Sequence, residues 1–190
     1  MSRPDLSVDT LIDRFGLRPL PAEGGYFHAT WTSPDSADQA GSRPAGTAII
    51  ALLTARDEQF SAMHRLPADE IWHFYLGDPV ELLLLDGEGN DRTVLLGHDV
   101  CAGQHVQFVV PAGTWMGGSV AEGGEWSLFG CTVAPGFVPA DYEGGDAEQL
   151  RARYPRAAER ISRLCRPGAP LRMAGDAAPD TLPAAAEDRS

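Results

Sequence analysis

Short apolar and aromatic runs, broken by glycine, proline and acidic turns, make up most of this chain. Thr47–Leu53, Glu70–Leu76, Val80–Leu85, Thr93–Leu96, His105–Val110 and Glu125–Val133 read as strands, and Tyr26–Thr32 carries several β-forming residues. Asp86-Gly87-Glu88-Gly89-Asn90-Asp91 is a hairpin connector, and Pro111-Ala112-Gly113 and Ala134-Pro135-Gly136 end the runs before them. Gly117-Gly118 and Gly123-Gly124 read as turns, since neither pair has the strand-then-helix context of a phosphate loop. Strands at this spacing, without helical periods between them, predict an all-β antiparallel sandwich or closed barrel. Helix is expected at the two ends. Ser7 can cap a short helix to Phe15 whose Leu11, Ile12 and Phe15 share a face, with Gly16 as its stop. Helical composition returns only after Gly145, in Asp146–Arg153 and Arg156–Leu164, interrupted by Pro155. Ser33 to Gly46 is a surface loop by composition. Residues 1–166 form one domain in this reading, and the Ala/Pro/Asp-rich stretch from Pro167 to Ser190 a flexible tail with little to bury.

Composition narrows the function classes. At 190 residues with 43% apolar content the chain suits one well-packed domain. A formal charge of −12 repels phosphate backbones and anionic bilayers, so neither nucleic acid nor membrane is an expected partner. There is no lysine, which excludes Schiff-base chemistry on that side chain. Cys101, Cys131 and Cys165 are widely spaced and form no Cys-x-x-Cys pair, as expected of reduced thiols in a cytoplasmic protein. The first residues lack a signal-peptide pattern, and no apolar stretch approaches the roughly 20 residues that span a bilayer.

Four groups of residues resemble, in order, the cupin-5 (DUF985) family of the cupin superfamily. They are Glu23-Gly24-Gly25-Tyr26-Phe27; His64-Arg65 with Asp69-Glu70-Ile71-Trp72-His73-Phe74-Tyr75; Gly103-Gln104, Gln107 and Val109-Val110-Pro111-Ala112-Gly113-Thr114-Trp115; and Gly130-Cys131-Thr132-Val133-Ala134-Pro135-Gly136-Phe137. The resemblance implies a double-stranded β-helix, or jelly-roll barrel, and a homodimer. In a general cupin, His-x-His, a glutamate and a further histidine ligate metal. Here His64 and Glu70 keep their places, whereas Leu66 and Met116 stand where the other two ligands would be. A neutral thioether and an alkyl chain are poor ligands for divalent transition metals. No cofactor is therefore expected beyond a weakly held divalent metal on His64 and Glu70, unless Gln107 or His73 joins them.

The same pair can act without metal, because an imidazole titrates near neutrality and an enclosed carboxylate can be tuned toward it. His64 and Glu70 are the candidate catalytic residues, with His73 as a third. In a regular strand, however, Glu70, Trp72 and Phe74 face one side while Ile71, His73 and Tyr75 face the other, so His73 joins only if a bulge changes the phase. Gln107 is the candidate for orienting a substrate oxygen, and Trp72, Trp115, Phe129 and Tyr26 are candidate substrate-binding walls, core packing being the competing role. Cys131 reads as inert packing, and His28, His98 and His105 as surface or packing residues. The leading expectation is an isomerase or epimerase acting on a small polar carbonyl compound, a keto-sugar or a hydroxy or keto acid, by His/Glu proton transfer. A metal-dependent dioxygenase, decarboxylase or lyase is one alternative; a non-catalytic sugar or metabolite-binding module is the other.

Overall fold

Four consecutive leucines, Leu82–Leu85, show how the chain builds its layers. In the computed structural model, which describes residues 6–38, 43–56 and 59–173, all four are buried, but on opposite faces of one strand. Leu82 and Leu84 join the core between two sheets, while Leu83 and Leu85 pack outward against helices with Met63, Leu150, Tyr154, Ile161 and Leu164. A strand covered on both faces needs no polar alternation. Burial of each leucine contributes roughly 1.5–3 kcal/mol.

The strands are β1 (Arg18–Pro19), β2 (Tyr26–Thr32), β3 (Thr47–Thr54), β4 (Ser61–Arg65), β5 (Asp69–Gly77), β6 (Val80–Leu85), β7 (Asp91–Leu96), β8 (Gln107–Val110), β9 (Trp115–Val120), β10 (Trp126–Ala134) and β11 (Glu143–Gly144). They form a six-stranded antiparallel sheet, β1-β2-β3-β10-β5-β8, facing a five-stranded one, β11-β4-β9-β6-β7. Helix α1 (Val8–Phe15) begins at Ser7, whose hydroxyl accepts from the Thr10 amide, and stops at Gly16 in the left-handed region. It seats Leu11 on Leu52 and Leu128, on the outer face of the larger sheet. Helices α2 (Ala147–Arg153) and α3 (Ala158–Leu164) cover the smaller sheet. Among the described residues no helix is long and apolar enough to cross a membrane.

Three segments differ from the sequence expectation. Gly117 and Gly118 are not a turn but the buried middle of β9, where a side chain at 117 would meet Met63 Sδ at 2.7 Å and one at 118 would meet Val80 Cγ1 at 3.1 Å. Their bareness lets β9 lie close to β4 and β6. Residues 61–65 form a strand that hydropathy alone does not announce. Residues 167–173 pack on the body rather than hanging free: the Gly144 amide donates to the Leu171 carbonyl at 2.9 Å, and Pro170, Arg172 and Met173 border a cavity. The rest of the expected tail, 174–190, lies outside the described residues, as does 39–42 of the expected loop.

Candidate functional site

Strand phase decides which side chains meet inside the barrel. On β4, Met63 points out to the helices and His64, one residue on, points in. On β5, Glu70 and Trp72 point in. Across the ladder, Val133 pairs with Glu70 and Cys131 with Trp72, so β10 lends its own inward residues to the same space. The result is a cavity of about 500 Å³ at one end of the barrel, with His64, Glu70, Glu23, Tyr142 and Cys131 at its polar end.

Three titratable groups converge there. His64 Nε2 lies 3.8 Å from Glu70 Oε2, an ion-pair separation longer than a hydrogen bond. The other ring nitrogen, Nδ1, donates to the Ala62 carbonyl at 2.8 Å, which fixes the ring and leaves Nε2 turned to the carboxylate. Tyr142 stacks on the imidazole, centroids 5.5 Å apart and planes at 16°. Glu70 has 9% of its side chain exposed, and its Oε2 has no hydrogen-bond partner among the described residues. An unpartnered, enclosed carboxylate oxygen is costly unless something else fills its place.

Glu23, the third member, comes from the turn between β1 and β2. Its carboxylate accepts from Ser61 Oγ at 2.6 Å, and its backbone carbonyl accepts from the Ala62 amide at 2.9 Å. Residues 61 and 62 thus tie Glu23 to His64 directly. The turn is built for this: Ala22, Gly24 and Gly25 all have positive φ (62°, 100° and 71°), and a side chain at Gly24 would lie 2.6 Å from the Phe60 carbonyl. A left-handed alanine is uncommon and persists where surroundings over-determine it.

Electrostatics follow from this grouping. Burial pulls the His64 pKa down, but Glu23 and Glu70, with the Ala62 carbonyl, outweigh it and push the value up to about 9. Glu23 is raised above the ordinary carboxylate range, chiefly by burial and also by Glu70, against the lowering effects of His64, Ser61 and Arg166. Cys131 is raised well above a normal thiol, by burial first and then by the two carboxylates, so it is no nucleophile at neutral pH. It does, however, line the cavity beside Glu70 rather than serving as packing alone.

Of the candidate catalytic and substrate-binding residues, only His64 and Glu70 line this cavity. His73 takes the opposite phase of β5 from Glu70 and Trp72, because the one register shift on this strand falls beyond it, at Tyr75. On the outer face of the sheet it sits opposite Gln107, with its Nε2 3.1 Å from Thr132 Oγ1 and its Nδ1 3.1 Å from Gln107 Nε2. Gln107 is exposed there and holds nothing inside. Trp72 and Phe129 stack on each other, centroids 4.7 Å apart, within the core below the cavity. Trp115 turns toward the helices under the Arg65 guanidinium, 4.6 Å from its ring centre. Tyr26 packs with α1. The walls are instead formed by Phe27, Ile49, Leu66, Val133 and Phe137. Leu66 and Met116, where metal ligands would stand, are 4% and 1% exposed and belong to the core. Among the described residues no group of three or more His, Cys, Asp or Glu side chains could hold a metal ion. The donor set does not fit a tightly held divalent metal.

Comparison with known proteins agrees with this architecture. Residues 9–144 match the family model described as Cupin superfamily (DUF985). A solved protein from Shewanella oneidensis is 35% identical with a TM-score of 0.77, over 85% of this chain and 98% of that one. A hypothetical protein from Leishmania major is 33% identical with a TM-score of 0.75, over 84% of this chain and 99% of that one. Oxalate decarboxylase of Bacillus subtilis, at 16% identity and a TM-score of 0.50 over 83% of this chain and 40% of that one, shares the fold alone. No curated protein matches the chain.

Proposed function

The chain belongs to the Cupin_5 (DUF985) family of the cupin superfamily, and from that premise we propose that it is an isomerase-type enzyme moving a proton next to a carbonyl group. The observation that carries this reading is the unpartnered Glu70 Oε2 facing the cavity 3.8 Å from an imidazole pushed up to about 9. At neutral pH His64 is protonated, with Nδ1–H on Ala62 and Nε2–H on the Glu70 side of the cavity, where a substrate oxygen would lie. The Glu70 carboxylate is the base. The C–H bond beside the carbonyl breaks, its proton going to Glu70 and its electron pair forming a carbon–carbon double bond. The carbonyl oxygen takes up the displaced pair and the His64 proton. When the carbon that lost the proton carries a hydroxyl, Glu70 then gives its proton to the former carbonyl carbon, and that hydroxyl gives its proton to His64 as its oxygen becomes the new carbonyl, which yields the isomer and restores both groups. Glu23, itself raised by burial, also favours the imidazolium through its charge.

The test is deuterium uptake at the carbon beside the carbonyl, followed by proton NMR in D₂O over hydroxy ketones, keto acids and keto-sugars. Uptake above the spontaneous rate, lost in His64→Ala and in Glu70→Gln, is expected. Full exchange retained by either variant would overturn the assignment.

A further inference from the structure

The remainder of the cavity surface says what its occupant is made of. Beyond the polar end, the walls include Phe27, Ile49, Leu66, Val133, Phe137 and Met173, all hydrocarbon, aromatic or thioether. No Asn, Gln, Ser or Lys side chain is among the described residues lining the cavity. The other hydrogen-bonding side chains on the lining are Arg18, Trp31, Thr32, Thr47, Tyr142 and Arg172: Arg18 lies over the Phe27 ring at 5.2 Å, Trp31 and Thr32 are exposed, Thr47 Oγ1 accepts from the Phe137 amide at 3.0 Å, and Arg172 reaches the Tyr142 carbonyl at 3.5 Å and Glu143 at 3.7 Å. A polyhydroxylated sugar would leave the hydroxyls that lie along Phe27, Ile49, Val133 and Phe137 buried without partners, at about 1–3 kcal/mol each. A ligand with one polar end and an apolar body meets no such cost, and a volume of about 500 Å³ holds a ring or a branched chain beside a short head group.

We propose that this site takes an amphipathic carbonyl compound, with its carbonyl and hydroxyl end against Glu23, His64 and Glu70 and an aromatic or branched apolar body along Phe27, Ile49, Val133 and Phe137, and does not take a keto-sugar. This rests on the proton-transfer reading only for the word carbonyl; the apolar body is argued from the walls.

Three probes share one head group, hydroxymethyl ketone, and differ only in what it carries: hydroxyacetone (methyl), 2-hydroxyacetophenone (phenyl) and D-fructose (polyol). Their Kd values for the full-length protein, by calorimetry or ligand-detected NMR, order the three bodies directly. The expected result is that 2-hydroxyacetophenone binds about tenfold or more tighter than hydroxyacetone, from the extra apolar surface buried, and that fructose binds no better than hydroxyacetone. Equal binding of the methyl and phenyl probes, or tighter binding of fructose, overturns the proposal. Phe137→Ala should weaken the phenyl probe several-fold and leave hydroxyacetone unchanged; loss of both alike in a folded variant counts against this wall. Deuterium uptake in the same samples separates the two claims. The phenyl preference without uptake upholds the amphipathic site and sinks the proton transfer; uptake without the preference does the reverse.

Discussion

His64 on β4 and His73 on β5 come from facing sheets, on either side of Glu70 in sequence, yet the barrel gives them opposite chemistry. His73 lies on the outer face, its Nε2 against Thr132, its Nδ1 accepting from the Gln107 amide, its ring stacked on Tyr75 at 6.4 Å. Among the described residues no carboxylate shifts its pKa, and partial burial pushes the value below the ordinary one. His64 is far more enclosed, and burial alone would lower it further, but Glu23 and Glu70 reverse the sign and carry it up to about 9. The lesson is that desolvation does not decide a histidine's charge when carboxylates are desolvated with it. One step of strand phase along β5, from Glu70 to His73, separates the enclosed carboxylate that holds the His64 cation from an amide-tethered, neutral imidazole outside.

The sharpest way to break this contrast is by substitution on each side. His64→Ala or Glu70→Gln should lower deuterium exchange on the order of 10²–10⁴-fold, the scale of general acid–base catalysis. His73→Ala should leave it within about twofold, since that ring lies across the sheet from the cavity and general-acid effects need hydrogen-bond reach. Equal losses from both histidines would mean that the two faces are not functionally distinct.

Next in size is the effect of Glu23 on its neighbour. Glu23→Gln removes the foremost of the influences that raise His64 while leaving the Ser61 contact available to the amide oxygen. The His64 pKa, followed by NMR of its ring protons, should fall from about 9 toward 6.5, and the His73 value should not move. An unchanged His64 would show that Glu70 alone sustains the cation.

The charge on His64 also sets a pH dependence of folding. Its folded value, about 9, stands above its ordinary 6.5, so the folded state binds this proton more tightly than the unfolded chain does. The stability it contributes is complete below about pH 6.5 and is lost as pH rises through about 9. Urea midpoints across that window should decline in the wild type and decline less in His64→Gln. A flat profile in the wild type would contradict the raised value.

These contrasts were only partly legible in the sequence. The strand runs, the N-terminal cap and the two C-terminal helices could be read from spacing and capping residues, and alternation along β5 correctly separated Glu70 from His73. What could not be read was the identity of the walls. Trp72 and Phe129 have the right phase to face inward, but inward in this barrel includes a filled core below the open end, and large aromatics pack there. Glu23 was hidden because it reaches the site from a turn some forty residues before His64 in sequence. The available signal was the Gly24-Gly25 pair: such glycines mark backbone that must bend and approach closely, and the residue before them is the one the bend aims. Ser61–Arg65 gave no hydrophobic alternation because Met63 is buried on the helix side and His64 on the cavity side, so both faces are covered.

The smallest expected effect tests the outer face alone. Gln107 is exposed and meets His73 through one amide nitrogen at 3.1 Å, a contact that favours the neutral ring by occupying Nδ1 as an acceptor. Gln107→Ala frees that nitrogen to take up a proton and opens the ring to water, both of which favour the charged form. The His73 pKa should therefore rise toward its ordinary 6.5, while the His64 value and the Kd of 2-hydroxyacetophenone stay as they are. Because Gln107 and His73 pair across the edge strand and Trp72 and Phe108 fill the layer beneath them, any change in cavity binding would have to pass through the core. A measurable loss of ligand affinity in this variant would show that the outer face and the cavity are coupled, and that the two histidines belong to one system.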